Sequence, residues 1–464
     1  NDIIKKCNKL NITKKLIDSE YREKSGQIPE IDIVDIQDSI SICYHNYKEC
    51  IVKANHSYHW SCKRWTKEYF EYCIQYQIKR DLFKKKHHNN KVLFFFPHCF
   101  YPSKAGCHTL AFQILNEMIE YGYIITILSY EKISDSGLNY SWTQNSIDYF
   151  NKRGIKVRLL NFLWSEYQIK NDVIDLISKN DIIRINYPPE IWKLGTLFNS
   201  DNIFYQKILI LDTHDDIKLN EKLHKMIVYR KNYLDINYYQ EYINNYYRDK
   251  IGNINYISQY ACIFDHIISL NDQDTHFYEQ CVIKNTLVHK FNYALNSIKI
   301  YHTKRSKIIF VASNNIFNIQ AFYILQEKIM PLLDNNIEIE IYGELKNIVK
   351  INTNKIILKG FVDDTDSIYT NTLISLCPVI AGTGQKIKIL ESLSYNVPVI
   401  TFQVNNISTL EHQNNCFFAE NENEFANYIN NIYNNPNTVL HMDSSKLAQN
   451  LYKTSKKKFY SLLT

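Results

Sequence analysis

The sequence lacks an apolar run long enough to cross a bilayer. A transmembrane helix needs about 20 consecutive apolar residues, and no apolar run among the 464 residues reaches that length. A segment with the pattern of a secretory signal peptide is also missing, and the first residue is Asn1 instead of methionine. We therefore do not expect a transmembrane protein, and we expect the chain to be a fragment or a trimmed form of a longer one.

A disulfide framework is missing as well. The cysteines number 11, which is odd, and they have no regular spacing, so a fully paired set is excluded. Cys43, Cys50, Cys62 and Cys73 have histidines near them, but they lack the paired C-x2-4-C spacing of a structural zinc site. Mostly free thiols are typical of a reducing compartment. We therefore expect a cytoplasmic protein.

The chain carries no strong net charge of either sign. Lysine and arginine number 54 against 48 acidic residues, a net charge of +6, which is too small an excess to predict nucleic-acid binding. Two local basic runs stand out, at residues 84–88 and 456–460. We interpret them as a solvated linker and a solvated tail. The alternative is a weak peripheral contact with an anionic membrane surface.

The length predicts several domains, because single cores rarely grow beyond about 250–300 residues. Residues 1–89 mix aromatic and charged residues at loosely helical spacing, which predicts a mainly helical amino-terminal extension of unknown role. Apolar runs then alternate with helix-length segments over residues 90–302 and again over 303–440. This alternation predicts two Rossmann-like, doubly wound α/β domains facing across a cleft. Residues 441–464 predict a carboxy-terminal helix that closes onto the first domain.

Single elements can be placed within this outline. Residues 91–96 are typical of a buried strand, and a loop over 97–108 leads to a helix over 109–121. The polar and aromatic segment 218–260 predicts one or two helices at the domain edge, and 319–333 predicts one helix.

The stretch after a predicted strand ending at Cys377 carries the strongest chemical signal. Gly382 and Gly384 allow a tight turn with exposed backbone amides, and a helix over residues 386–394 follows. The amides and the dipole at the start of that helix favour an anion such as a diphosphate. From the glycines alone, an ordinary βα turn is an equal alternative.

Three charged residues extend this signal into the helix. Lys386 and Lys388 are two residues apart, so we expect one to reach a phosphate and the other to lie along the surface. Glu391 is three residues after Lys388, on the same helix face, where its carboxylate can accept two hydroxyl hydrogen bonds from a ribose. A surface Lys–Glu pair is the alternative.

Residues 378–400 resemble the donor-binding motif of GT-B glycosyltransferases, notably the GT4 type, also called glycosyltransferase group 1. The family pattern is close to P-x-x-x-G-[ST]-G-x-[KR]-x-K-x-x-E-[AS], followed by G-x-P-V-[IV]. This sequence departs from it at Asn396, where glycine is usual, and at Ile380, where a polar residue is common. The first glutamate of the family's E-x7-E motif falls at Thr383, so only the second is kept, as Glu391.

Shorter stretches resemble the same family in the expected order. Gly106 falls in the loop that is glycine-rich in the family, and residues 211–216 resemble a D-T-H-D stretch after a central strand. Residues 265–270 resemble a later strand, and 360–362 resemble the segment whose backbone meets the nucleobase. The resemblance covers about residues 91–440.

The resemblance implies transfer of a sugar from a nucleotide-diphospho sugar to an acceptor hydroxyl, with retention of configuration and with neither a metal nor another cofactor. The implied donor-binding residues are Gly106, Gly360, Phe361, Val362, Gly382, Thr383, Gly384, Gln385, Lys386, Lys388 and Glu391. The implied catalytic residues are His214, Asp215 and Lys388. We expect Lys388 to be the more important lysine, because the family pattern keeps it nearly constant, and His214 and Asp215 to orient the acceptor and the reacting sugar.

Several points stay open. The acceptor can be a glycan, a lipid-linked molecule or a protein, and no nucleic-acid partner is expected. A catalytically silent GT-B module that binds a partner is one alternative function, favoured by the departures at Ala105, Ser313, Thr383 and Asn396. A nucleotide-sugar epimerase is another. The acidic pairs at residues 364–366 and 272–274, and Asp212 with Asp215, mimic a metal-binding D-x-D motif. That motif belongs to a different glycosyltransferase fold, so we interpret them as loop and cap aspartates.

Overall fold

The computed structural model describes residues 90–463, with gaps at 103–105, 132–140, 161–165, 188–203, 205, 230–232, 253–260, 262, 283–285, 292–304, 363, 406–409 and 441. The predicted amino-terminal extension over residues 1–89 and the basic run at 84–88 lie outside the described residues. The predicted boundary at residues 302–303 also falls in a gap.

The first half of the described chain forms a parallel sheet of seven strands, in the order β3-β2-β1-β4-β5-β6-β7. The strands are β1 (Lys91–Phe95), β2 (Ile124–Tyr130), β3 (Lys156–Leu160), β4 (Ile182–Asn186), β5 (Ile208–Asp212), β6 (His266–Ser269) and β7 (Leu287–Lys290). The helices are α1 (Gly106–Glu120), α2 (Gln144–Asn151), α3 (Glu166–Lys179), α4 (Ile217–Val228), α5 (Ile236–Gly252) and α6 (Asp272–Cys281).

The second half forms a parallel sheet of six strands, in the order β10-β9-β8-β11-β12-β13. The strands are β8 (Lys307–Val311), β9 (Ile339–Tyr342), β10 (Ile356–Gly360), β11 (Thr372–Cys377), β12 (Val399–Phe402) and β13 (Cys416–Ala419). The helices are α7 (Ile316–Ile324), α8 (Thr365–Tyr369), α9 (Ile387–Ser394), α10 (Glu422–Asn434), α11 (Asn437–Leu440) and α12 (Ser444–Leu463).

Both sheets reverse their strand order at one point, between β1 and β4 in the first and between β8 and β11 in the second. In open α/β sheets, ligands bind beyond the carboxyl ends of the strands at such a switch point. The prediction of two Rossmann-like, doubly wound domains is therefore confirmed, and the fold provides two candidate ligand edges.

Some element boundaries differ from the predicted ones. Helix α1 begins at Gly106 instead of residue 109, and β13 was not predicted. The single helix predicted over residues 319–333 is instead α7 followed by a π-helical turn (Leu325–Ile329) and a 3-10 turn (Met330–Leu332). Pro331 has no backbone N–H to donate, so an α-helical ladder cannot continue through it.

The helices α4 and α5 lie before the predicted domain boundary, but their apolar side chains join the core of the second sheet. Leu219 and Leu223 of α4 and Tyr239 of α5 are fully buried in the same apolar cluster as Phe310 of β8 and Phe322 of α7. The two halves of the chain therefore share an apolar interface as well as the polar contacts described below.

The last helix, α12, connects both halves. Ala448 and Leu451 join the core of the second sheet, while Phe459 joins the core of the first, where its ring lies 4.9 Å from the Arg184 guanidinium. Lys456 pairs with Glu120 of α1 at 2.5 Å. The interpretation of residues 456–460 as a solvated tail is therefore wrong, because Phe459 is buried and Lys456 is paired. Among the described residues, no helix is both long and apolar enough to cross a membrane.

Candidate active site

The glycine-containing loop between β11 and α9 lies at the switch point of the second sheet. Gly382 has φ of +100° and Gly384 has φ of +71°, both in the left-handed region that side chains with a Cβ disfavour. Helix α9 then begins at Ile387, and no side chain caps its first turn. The loop therefore has the strand–turn–helix geometry that the motif predicted.

Contacts with the connection between β5 and α4 hold this loop. A Cβ placed on Gly384 would lie 2.0 Å from Asp215 Oδ1 and 2.7 Å from the His214 carbonyl oxygen. The backbone N–H of Asp216 donates to Thr383 Oγ1 at 3.0 Å, and the N–H of Thr383 donates to Asn220 Oδ1 at 2.9 Å. The structure thus brings the predicted catalytic pair and the donor loop together. The loop was predicted to expose its backbone amides, but the amide of Thr383 is not exposed, because Asn220 accepts its hydrogen bond.

Lys386 and Lys388 point to different partners. Lys386 Nζ turns back onto its own loop and donates to the carbonyl oxygens of Gly382 and Thr383 at 3.1 and 3.3 Å. Lys388 Nζ donates to Asn318 Oδ1 at 2.5 Å and lies 5.0 Å from the centre of the Phe310 ring. Burial lowers the pKa of both lysines. The expectation that one of them lies along the surface is wrong, because both side chains are half-buried and hydrogen-bonded.

Glu391 lies on α9, one turn beyond Lys388. Its Oε2 accepts a hydrogen bond of 3.0 Å from the Tyr369 hydroxyl, and the Tyr369 ring stacks on Tyr395 at 4.4 Å between centroids. Burial raises the pKa of the Glu391 carboxyl, and the Tyr369 hydrogen bond opposes that effect. The alternative of a surface Lys–Glu pair does not hold, because Lys388 bonds to Asn318 and Glu391 bonds to Tyr369.

The other predicted donor residues lie around this loop. Gly360 has φ of +84°, and its carbonyl accepts from the Gly343 N–H at 2.8 Å. Phe361 is 58% exposed, while Val362 packs against a small apolar cluster. Gly106 starts α1, and a Cβ there would lie 2.9 Å from Ile387 Cγ1, so the starts of α1 and α9 touch.

His214 is buried beyond the end of β5, in an environment that determines its tautomer. Asn186 Nδ2 donates to the Phe95 carbonyl at 2.8 Å, so Asn186 Oδ1 faces His214 Nε2, also at 2.8 Å. An amide oxygen only accepts, so Nε2 carries the proton and Nδ1 keeps a lone pair in the neutral ring. Burial lowers the pKa of His214 to about 4, which keeps the ring neutral at pH 7.

Backbone strain concentrates at the same place. His214 has φ of +47° and Tyr187 has φ of +73°, and their rings stack with centroids 4.5 Å apart. Bulky residues rarely adopt this region, and such outliers cluster at functional sites.

Two aspartates near His214 have different environments. Asp212 is buried and accepts hydrogen bonds from Nη2 of Arg184, at 2.9 Å, and from Nε of the same side chain. Arg184 and Asp212 therefore form a structural ion pair. Asp215 lies at the interface, where burial raises its pKa to about 6 against the opposing effect of Lys386. Asp215 can therefore gain or lose a proton close to neutral pH.

A comparison with family models gives one match. Residues 305–435 match the model described as glycosyl transferases group 1. Residues 305–435 are a group 1 glycosyltransferase domain. This domain contains the loop from Gly382 to Glu391 and the partners of Lys388 and Glu391. The finer assignment to the GT4 type stays a prediction.

Solved structures resemble the whole described fold. Alr3699/HepE from Anabaena in complex with UDP has a TM-score of 0.58 at 11% identity, covering 80% of this chain and 99% of that one. Sucrose-phosphate synthase from Thermosynechococcus elongatus has a TM-score of 0.56 at 10% identity, covering 80% and 98%. The lipopolysaccharide outer core galactosyltransferase WaaB has a TM-score of 0.54 at 9% identity, covering 80% and 98%. At these identities the likeness shows the fold, which is GT-B. No curated protein matches the chain in sequence.

The acidic pairs that mimic a metal motif have other partners. Asp364 caps α8 by accepting from the Asp366 N–H at 3.0 Å. Asp272 pairs with Lys290. Asp212 pairs with Arg184.

One cluster of side chains opposite the group 1 domain was not found from the sequence. Among the described residues, His98, Cys107 and His108 form the group whose ligand atoms lie close enough to hold a metal ion, all within 4.8 Å of one another. The signal available in the sequence was one predicted loop, residues 97–108, with a histidine near its start and a Cys-His pair at its end. The cysteines and histidines tested above for the spacing of a zinc site all lie in the amino-terminal segment.

Proposed function

We propose that this protein transfers a sugar from a nucleotide-diphospho sugar to an acceptor hydroxyl, with retention and without a metal ion. The group 1 domain and the GT-B fold support sugar transfer as the activity. The observation that carries the proposal is the contact of Gly384 with His214 and Asp215, because it places the start of α9 directly opposite the polar edge of the first sheet.

The start of α9 is the proposed diphosphate site. Breaking the glycosyl–phosphate bond builds negative charge on the leaving diphosphate. The uncapped amides of α9 and the Lys388 ammonium are fixed positive groups in a largely buried setting, where they stabilise that charge without reorganising. Because these groups can neutralise the diphosphate, transfer needs no divalent cation. Asn220 accepts the hydrogen bond of the Thr383 amide, so a diphosphate that uses this amide displaces Asn220.

Glu391 and residues 360–362 are the proposed nucleoside site. The Tyr369 hydroxyl orients the Glu391 carboxylate, which can then accept hydrogen bonds from two ribose hydroxyls. Gly360 bends the chain after β10, and the exposed Phe361 ring is available to a base beside the backbone. Alr3699/HepE has been solved in complex with UDP-glucose, and uridine is accordingly the first base to test.

His214 and Asp215 are the proposed residues for the reacting sugar and the acceptor. The Nδ1 lone pair of neutral His214 can accept a hydrogen bond from a sugar or acceptor hydroxyl. Asp215, with its pKa near 6, can accept a hydrogen bond when ionised and donate one when protonated. Retention of configuration rests on the resemblance to the GT4 type, and the anomeric form of the product, measured by NMR, tests it.

The experiment is a donor screen with UDP-, GDP- and dTDP-sugars, which measures hydrolysis and the rise in unfolding temperature. We expect one nucleotide class to stabilise the protein and to be turned over. Replacing Glu391 with Ala should weaken binding of that donor by about 1.5–3 kcal/mol, because a charge-assisted hydrogen bond is lost. Glu422→Ala, in the first turn of α10 of the same domain, is the matched control and should leave donor affinity unchanged.

Different results separate the parts of the proposal. Donor binding without turnover for every sugar would favour the catalytically silent module. An unchanged donor affinity in Glu391→Ala would place the nucleoside elsewhere. Loss of turnover with EDTA and its return with manganese would overturn metal-independent transfer.

A further inference from the structure

The connection between β1 and α1 brings two imidazoles and a thiol together. His98 follows β1, and Cys107 and His108 lie in the first turn of α1. The three ligand atoms lie within 4.8 Å of one another, and His98 Nε2 and His108 Nε2 are 3.1 Å apart. His108 is fully buried, so the cluster belongs to the interior side of this connection.

We propose that His98, Cys107 and His108 bind one divalent transition-metal ion of the zinc class. A tetrahedral zinc ion binds imidazole nitrogen at about 2.0–2.1 Å, which places two such nitrogens roughly 3.3 Å apart. The separation of 3.1 Å between the two Nε2 atoms is close to that value. Three protein ligands leave a fourth position for water.

The ligand chemistry selects the class of ion. Thiolate and imidazole favour zinc and related transition metals, whereas magnesium and calcium require oxygen ligands. The proposed site is thus chemically distinct from the oxygen-rich D-x-D site that binds manganese or magnesium. It is also separate from metal-independent transfer, because the ion is not assigned to the donor diphosphate.

A simpler description of the cluster is a hydrogen bond between two neutral imidazoles. That description accounts for the 3.1 Å contact but not for the convergence of Cys107. Burial raises the pKa of the Cys107 thiol to about 11, so this thiol loses its proton when it binds the ion. The Cys107 thiol, as a third ligand beside the two imidazoles, favours a metal site over a simple hydrogen bond.

The site lies where an ion would affect both halves of the protein. Gly106 precedes Cys107 and touches Ile387 at the start of α9. The Phe96 ring lies 4.9 Å from the His98 ring and 6.1 Å from the His214 ring. A bound ion would therefore hold the start of α1, which touches α9, against the connection after β1 and would stabilise the folded protein.

The test uses the full chain, stripped of metal with a chelator and then titrated with Co²⁺ and Zn²⁺. Cysteines and histidines elsewhere in the chain can also bind metal, so the measured quantity is the difference between wild type and variants. We expect Cys107→Ser and His98→Gln each to lose one equivalent of tightly bound metal. Cys107→Ser should also lose one thiolate-to-cobalt charge-transfer contribution. Zn²⁺ should raise the unfolding temperature of the wild type by more than that of either variant.

Cys99→Ser is the matched control, because Cys99 lies in the same connection with its Sγ directed at the Tyr101 carbonyl at 3.2 Å. It should keep the wild-type stoichiometry and spectrum. Two folded variants, Cys107→Ser and His98→Gln, with metal content and cobalt spectra identical to wild type would overturn the proposal. If one of them fails to fold, the other decides. Retained donor turnover after metal removal would leave the proposed sugar transfer intact in either case.

Discussion

The switch points of the two sheets carry different chemistry. The edge of the first sheet is built from rings and buried polar pairs, with His214 stacked on Tyr187 and Asp212 held by Arg184. The edge of the second sheet is built from glycine-dependent turns and from Lys386 and Lys388. One edge therefore carries groups that change protonation, and the other carries fixed positive charge and backbone amides.

This difference indicates a division of labour. Fixed positive groups suit a leaving diphosphate, whose charge is always negative at pH 7. Groups such as Asp215, with a pKa near 6, suit hydroxyls that exchange protons during transfer. The contact at Gly384 joins the two edges, so changes that separate them should have the largest effect.

The first prediction concerns Gly384→Ala, whose added methyl group should push the edges of the two sheets apart. Gly384→Ala places a Cβ 2.7 Å from the His214 carbonyl oxygen and 2.0 Å from Asp215 Oδ1, so the donor loop must shift. Because a displacement of about 1 Å at a reacting centre can cost 10²-fold, we expect transfer to fall by more than about 100-fold. The measurement is kcat/KM for the donor identified in the screen.

Gly154→Ala is the control for backbone strain. Gly154 has φ of +76°, almost the same as the +71° of Gly384, but nothing lies within 4 Å of its Cβ position. It should lose about 1 kcal/mol of unfolding free energy through strain and keep its transfer rate. Equal losses of activity in the two variants would mean that the contact between the edges is unimportant.

The second prediction ranks the two lysines. Lys388→Met should lower kcat by about 100-fold, in the range seen when one donor to a developing oxyanion is removed. Lys386→Met should have a smaller effect, because Lys386 already bonds to the carbonyls of Gly382 and Thr383. Lys388→Arg keeps the charge and should recover part of the rate. A larger loss in Lys386→Met than in Lys388→Met would assign the diphosphate to Lys386.

The second edge could be predicted from sequence because its signals are local. Gly382, Gly384, Lys388 and Glu391 lie within ten residues of one another, and the positive φ of both glycines leaves few alternatives to glycine. The parallel, doubly wound character of both sheets also followed from the alternation of apolar runs with helices, because parallel strands need crossover connections. Their strand order was not predicted.

The first edge could not be predicted to the same depth, because its contacts join distant parts of the chain. Asn220 and Thr383 are separated by 163 residues, and Arg184 and Asp212 by 28. The segment of α4 and α5 was predicted to be helical at the domain edge, but nothing local indicated that these helices cover the second sheet. The His98–Cys107–His108 group likewise depends on how α1 packs beyond β1.

The third prediction concerns the pH dependence of stability at the first edge. The pKa of Asp215 is raised from 3.8 to about 6, so between these pH values the folded protein holds a proton that the unfolded chain has lost. Its contribution to the free energy of unfolding is therefore present below pH 4 and is lost as the pH rises through 6. Asp215→Asn should be more stable than wild type at pH 7 by about 1–2 kcal/mol, less than the full shift implies because the side chain keeps some solvent contact.

The measurement is the difference in unfolding free energy between wild type and Asp215→Asn from pH 3.5 to 7.5, the range given by the two pKa values. His214 and His98, with pKa values lowered to about 4, stabilise the fold above pH 6.5 and lose that contribution as the pH falls through 4. Both histidines are common to the two proteins, so their effect cancels in the difference to first order. Asp175→Asn, at an exposed pair with Lys179, is the control for loss of a carboxylate at the surface. A flat difference for Asp215→Asn would contradict the burial of this carboxyl.

The smallest predicted effect tests how the second edge orients its carboxylate. Tyr369→Phe removes the hydroxyl that donates to Glu391 Oε2 at 3.0 Å but keeps the ring stacked on Tyr395. Because one hydrogen bond is worth about 1 kcal/mol, donor affinity should fall by about fivefold, less than for Glu391→Ala. Tyr428→Phe removes a similar bond to Glu424, of 2.7 Å on the distant α10, and should leave donor affinity unchanged. The loss in Tyr369→Phe should disappear when Glu391 is already alanine, since Tyr369 then has no carboxylate to orient, whereas additive losses would show that Tyr369 contacts the donor itself.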